Sequence, residues 1–236
     1  MLVHYPYNSL GGADHGWLKS KHHFSFANYY NPKRMGFGAL RVVNDDWVRA
    51  GSGFPPHPHQ NMEIISYIRS GAITHRDSEG NKGVTKAGVI QVMSAGTGIM
   101  HSEYNLQQSD LSFYQIWIET NQHNVQPRWE SGEFPTQASS TELTLLVSGF
   151  AEEHKHALFI NQQARIFGGV IKSASEIEHQ ITGQAYVLAA RGSFTIRSQN
   201  QQIQMSQGDG AEVTRSKFIT INTQSDSEIV IIDVPG

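Results

Sequence analysis

Two short phrases hold side chains of the type and spacing that bind a cation: His57-Pro58-His59 and His101-Ser102-Glu103. Residues two apart in a strand point to the same side, so each phrase presents two donors together. Neighbouring strands carrying them would gather three neutral imidazoles and one carboxylate around one ion. That donor set suits Fe, Mn, Co, Ni, Cu or Zn far better than Mg or Ca, which favour cages of oxygen. The chain has 12 histidines and no cysteine, which excludes thiolate ligation, disulfides and a cysteine nucleophile. Nine of the histidines (His4, His15, His22, His23, His57, His59, His75, His101 and His123) and all four tryptophans precede residue 130, so the two halves carry different chemistry.

The elements that must position these donors read as short strands. FGALRVV, MEIISYI, VIQVM, LSFYQIWI, ELTLLVS, YVLAAR, SFTI, FITIN and EIVIIDV are rich in Val, Ile, Phe and Tyr and bounded by turn residues. SEGNKG at 78–83 and SQNQQ at 198–202 read as loops between neighbouring strands. No run of more than ten residues keeps a helical period, and EIEHQITGQ holds at most a short helical turn. The 236 residues suit one large all-β domain or two of roughly 100 each. Residues 120–142 are polar with two prolines, which predicts an interdomain connection. A weak echo of strand, Gly turn, strand and polar turn on either side is what a duplicated barrel leaves behind.

Charge and hydropathy exclude other classes. With 18 basic and 21 acidic side chains, the formal charge of −3 lacks the clustered basic excess of a nucleic-acid binder. No apolar stretch approaches the roughly 20 residues of a membrane span. The opening MLVHYPYNSLGGADHG lacks the apolar core of a secretion signal, so a cytoplasmic protein is expected.

The surroundings of the two phrases sharpen the metal reading. Gly51 precedes His57 by five intervening residues, Glu63 follows His59 by three, and Gly98-x2-His101-x3-Asn105 follows in turn. This resembles the paired motifs of cupins, G(x)5HxH(x)3–4E(x)6G and G(x)5PxG(x)2H(x)3N. Gly71 comes one residue late for the first motif, and Gly96 stands where the second has its proline. Glu63, the usual cupin ligand position, lies about 13 Å along an ideal strand from His59. It is expected to make a structural hydrogen bond or salt bridge, with Glu103 as the ligand carboxylate.

The runs HGWLKSKHHFSFANYYNPKRMGFGALRVVNDD, GSGFPPHPHQNMEIISYI and MSAGTGIMHSEYN resemble the pirin family over roughly the first 125 residues, with the second half alike only in layout. The likeness is greatest to bacterial pirin-like proteins described as quercetin 2,3-dioxygenases. It implies an all-β fold of two stacked cupin barrels: residues 1–130 with a metal site, and 131–236 without one. It implies metal ligation by His57, His59, His101 and Glu103, with Fe(II) the expected ion and Zn, Ni, Cu, Co or Mn able to load on purification. The implied activity is cleavage of a flavonol's heterocycle with dioxygen insertion and carbon monoxide release, by a monomer, with Glu103 accepting the 3-hydroxyl proton. The alternative is an iron-binding, redox-responsive regulator that binds a protein partner through a patch such as Lys19, Lys21, Lys33 and Arg34, although a plain solvated face is the preferred reading of those four. A metal-free isomerase or epimerase fits four intact donors less well.

The other histidines are assigned duller roles. His154-Lys155-His156 has no partner HxE and reads as a solvated segment, leaving His179 alone in the second half. His22 and His23 would face opposite sides of a strand, with at most one lining a pocket. His15 and Trp17 would help close the first barrel, and Phe24 and Phe26 would lie in its core.

Overall fold

The computed structural model describes residues 1–236, which form two compact units. Each is built from strands, as expected. The only helical elements are single 3₁₀ turns at Tyr7–Ser9 and Ala151–Glu153. No helix is long and apolar enough to cross a membrane.

The first unit comprises residues 11–133 and 158–162. Its seven-stranded antiparallel sheet runs, in spatial order, Arg128–Glu133, Val89–Ser94, Met62–Ser70, Leu111–Glu119, Leu40–Val48, Leu18–His22 and Gly11–Asp14. A four-stranded sheet in the order Gly53–His59, Ile99–Tyr104, Ala72–Asp77 and Lys82–Lys86 covers one face of it. Apolar side chains from both sheets close the interior: Val48, Ile68, Leu111 and Phe113 meet Ile73 and Phe54. A second cluster joins Ile64 and Met93 of the large sheet to Ile99, with Trp117 and Trp129 packed on it.

Between these apolar layers lies a polar row. Paired registers place His22 opposite Asn44, Asn44 opposite Gln115, Gln115 opposite Ser66, and Ser66 opposite Gln91. On the central strands the inward residues two positions away are apolar, as in Ile64-Ser66-Ile68 and Phe113-Gln115-Trp117, whereas buried Ser20 and Asp46 stand two positions from His22 and Asn44. Five adjacent strands thus each offer one polar side chain at the same depth of the barrel.

The second unit comprises residues 1–10, 134–157 and 163–236. Its larger sheet includes Leu2–Tyr5, Gly210–Val213, Gln184–Arg191, Ser227–Val234, Arg165–Ile171 and Thr144–Ser148 in that order, and its smaller sheet runs Glu176–Gln180, Phe218–Thr223, Ser193–Ser198 and Gln201–Ser206. The interior is filled by Ile, Val, Ala, Leu, Phe and Met, among them Ile171, Val187, Phe194, Met205 and Ile231.

Three local expectations differ from the structure. The linear division at 130/131 misses two exchanged segments. Leu2–Tyr5 pairs with Gly210–Val213 in the second unit, and residues 158–162 pack with the first. Part of the expected connection, Arg128–Glu133, is an edge strand paired with Val89–Ser94. Its outward residues are polar because an edge strand faces solvent, while Trp129 turns inward. Glu176–Gln180 is a strand, with Ile177 and His179 buried and Glu176, Glu178 and Gln180 exposed, a period of two that overrides the helix-forming glutamates.

Candidate metal centre

The His57 strand and the His101 strand are antiparallel neighbours with His57 directly opposite His101. That register brings three imidazoles together. Ring centroids are 4.4 Å apart for His57–His101, 4.9 Å for His57–His59 and 5.0 Å for His59–His101. Ligand atoms of the three lie within 4.8 Å of one another. His57 Nδ1 donates to the Pro55 carbonyl at 2.8 Å, which leaves Nε2 as the lone-pair nitrogen. His59 packs edge-on against Trp117, 4.9 Å between centroids.

His101 is the most telling of the three. It is buried, and neither ring nitrogen has a hydrogen-bond partner. Burial, followed by the neighbouring imidazoles of His57, His59 and His75, pushes its pKa down to about 2. Burial and then His57 hold His59 at about 4. Both rings are therefore neutral at ordinary pH, the state in which imidazole ligates. A buried imidazole without partners carries a desolvation cost of about 1–3 kcal/mol, and a cation among the three rings would remove it. The donor set fits a divalent transition ion.

Glu103 enters through a bulge. The register with the His57 strand slips between His101 and Glu103, while on the other side Glu103 sits opposite His75. Its carboxylate reaches the polar row. Gln91 Nε2 donates to Oε1 at 2.6 Å, and Gln115 Nε2 donates to Oε2 at 3.0 Å. The carbonyl ends of both amides are also committed, Gln91 to Thr85 Oγ1 at 2.6 Å and Gln115 to Trp117 Nε1 at 3.1 Å. Burial pushes the Glu103 pKa up to about 7, against the pull of Gln91, Gln115 and Ser66. No cation of the protein neutralises it. Its ligand atoms group with those of His101 and of a fourth imidazole, His75, again within 4.8 Å. The four expected donors do not form one group: His57, His59 and His101 make one trio, and Glu103 joins His101 and the unexpected His75 in a second that shares only His101 with the first.

Sequence reasoning passed over His75 and the glutamine clamp. Their signal was there: single glutamines inside VIQVM and FYQIWI at inward positions, and a His-x-Asp at 75–77. Glu63, by contrast, lies away from both trios. The chain turns at Asn61 (φ 49°) before the next strand begins, and Glu63 accepts from Ser94 Oγ at 2.6 Å and Asn161 Nδ2 at 3.1 Å. His22 Nδ1 meets Asn44 Oδ1 at 2.8 Å within the barrel, and His23, in the bend that follows this strand, is buried as well. His15 is exposed, Trp17 packs edge-on to Phe54, Phe24 is core and Phe26 is half-buried against Trp117. His154 and His156 are exposed, and His179 is buried against Phe167. Arg34 is buried, with Nε on the His23 carbonyl at 3.0 Å and its guanidinium over Phe24, so it belongs to no solvated patch.

Beside His59 the surface opens into a depression of about 490 Å³ lined by Pro58, His59, Gln60, Thr97, Gly98, Ile99 and Met100. That volume lies in the range of small-molecule sites. Gly96, just before the lining residue Thr97, has φ 49° and could carry no side chain, since a Cβ would fall 2.1 Å from the Val125 carbonyl oxygen.

Comparison with known proteins identifies both domains. The family described as Pirin matches residues 4–118, and the quercetinase C-terminal cupin domain matches residues 145–234. A pirin-like protein of Caulobacter vibrioides is 45% identical over 99% of each chain. A quercetin 2,3-dioxygenase of Escherichia coli K12 is 40% identical over 97% of this chain and 96% of its own. The solved structure of the bacterial pirin YhhW from Escherichia coli in complex with nickel(II) aligns with a TM-score of 0.91 at 39% identity, covering 100% of this chain and 99% of the other.

Proposed function

The chain belongs to the pirin family and is built of two cupin-type domains, and from that premise we propose that its first barrel is a metal-dependent dioxygenase centre acting on quercetin-like flavonols. His57, His59, His101 and Glu103 hold the ion, Fe(II) in the cell. Both atoms of dioxygen enter the product as the heterocycle opens, and carbon monoxide leaves. Bound there, the ion supplies Lewis acidity toward a chelating 3-hydroxyl and 4-carbonyl, together with a route for electrons to dioxygen.

The protein's own groups divide the remaining work. The depression beside His59 receives the flat rings against Pro58, Ile99 and Met100. Glu103 takes the 3-hydroxyl proton, being the buried carboxyl grouped with the imidazoles of the site. Gln91 and Gln115 keep that carboxylate oriented, one amide on each oxygen. Trp117 couples the two sides of the site, since its indole N–H is held by Gln115 and its face meets His59.

The observation that carries this reading is the buried, partnerless His101 facing two further imidazoles. The test is anaerobic reconstitution with Fe(II), followed by dioxygen uptake and carbon monoxide detection across a flavonol panel. Metal-dependent carbon monoxide release, lost in Glu103→Gln, is the expected result. Product formed equally well by the metal-free chain, or none from the reconstituted one, would overturn it.

A further inference from the structure

His75 has no part in the scheme above, yet its setting is that of a ligand. It is fully buried on Ala72–Asp77, directly across from Glu103. Its Nε2 meets Asp77 Oδ2 at 2.8 Å. Which nitrogen carries the proton follows from Asp77, whose two oxygens together accept four further hydrogen bonds: the N–H groups of Glu79 and Asn81, and Asn81 Nδ2 twice. A carboxylate so committed is an acceptor only, so His75 must donate from Nε2. Nδ1 is left as a lone pair, buried and without a partner.

The ring itself is held in place. Trp129 stacks on it at 5.0 Å and 11°. The indole fits because residue 83 is glycine, where a Cβ would fall 2.2 Å from Trp129 Cη2. A carboxylate-oriented imidazole with its free nitrogen among other donors is the arrangement by which proteins prepare a metal ligand.

We propose that His75, His101 and Glu103 form an inner seat for a divalent transition-metal ion, overlapping the outer seat of His57, His59, His101 and Glu103. The proposal rests on the reading of this pocket as a metal centre, and adds His75 as its fifth protein donor. Because His101 belongs to both groups of donors, one cation occupies the pocket at a time. The pocket then tolerates loss of the outer imidazoles without losing its ion entirely.

Binding of Co(II) to the metal-free full-length chain, followed by its absorption bands and by chelator competition, tests this without reference to turnover. The His57→Ala/His59→Ala chain is expected to bind one Co(II) more weakly than the parent but still measurably. Adding His75→Phe, which keeps a ring against Trp129, should weaken that residual binding at least about tenfold more and change the spectrum. Asp77→Asn in the same double variant keeps the imidazole and should also weaken it, which decides the matter if the His75→Phe chain does not fold. If the double variant binds no Co(II), or if neither further change alters its affinity, the inner seat is refuted while the outer site stands. If the parent chain binds no divalent transition ion, both readings fall.

Discussion

Glu103→Gln should make the metal-free protein more stable, and the structure sets the size of the effect. Glu103 is fully buried among neutral amides, and its pKa stands near 7 in the folded chain against an ordinary 4.5. Between those values the folded state holds a proton that the unfolded chain has released, so stability falls as pH rises from 4.5 to 7. Above that window the ionised carboxylate costs its full amount. A gap of about 2.5, at about 1.4 kcal/mol for each pH unit, comes to about 3 kcal/mol at pH 8, shrinking to under about 1 kcal/mol at pH 5. Glutamine removes the charge and retains the shape, but its amide nitrogen faces the donor of Gln91 or Gln115, which takes back about 1 kcal/mol or more. The change also relieves Asp46, another buried carboxyl pushed up to about 7, which feels the Glu103 charge. The net gain is about 2 kcal/mol, and at about 2–4 °C per kcal/mol for a chain of this size, thermal melting in chelator at pH 8 should place the variant about 4–8 °C above the parent. With Ni(II) or Fe(II) in excess the order should narrow or reverse, because the variant has given up the anionic ligand through which the ion stabilises the fold. The physical reasoning is refuted if the metal-free variant melts at or below the parent at pH 8, or if the gap is the same at pH 5.

The same carboxyl makes metal uptake pH-dependent. Below pH 7 a proton must leave Glu103 before it can ligate, so calorimetry should show one proton released and affinity falling about tenfold per pH unit. Gln115→Leu takes the donor from Glu103 Oε2 and the acceptor from Trp117 Nε1. It should cost about 3 kcal/mol in urea unfolding of the metal-free chain at pH 8, and less at pH 5. Gly83→Ala drives a methyl into Trp129 and should destabilise by about 1–3 kcal/mol, with a shift in tryptophan fluorescence. In the second unit, burial holds His179 neutral down to about pH 4. The unfolded chain binds that proton near 6.5, so acid from pH 6.5 to 4 erodes stability, and His179→Leu should flatten this limb by up to about 3 kcal/mol in melts at pH 4.5.

Much of the fold was legible because strands write themselves into local sequence. The runs MEIISYI and LSFYQIWI appear as Met62–Ser70 and Leu111–Glu119, and EIVIIDV as Ser227–Val234. The donor pairs were legible for the same reason, since a spacing of two places His57 with His59, and His101 with Glu103, on one side of a strand. The edge strand Arg128–Glu133 and the two exchanged segments were not, because membership of a sheet is settled by partners far along the chain. Trp129 marks Arg128–Glu133 as barrel only once Val89–Ser94 lies beside it.

Sequence alone determined which residue types could meet a cation and which pairs share a face. Tertiary structure decided what surrounds them. Strand register lined up Gln115, Ser66 and Gln91 into a row beneath Glu103, a bulge turned that carboxylate toward His75, and a turn at Asn61 carried Glu63 off to Ser94 and Asn161. The division has one physical cause. Side-chain direction along a strand is a local, period-two property, whereas hydrogen-bond partners and burial come from strands tens of residues apart, and those partners set the pKa of a carboxyl and the free lone pair of an imidazole.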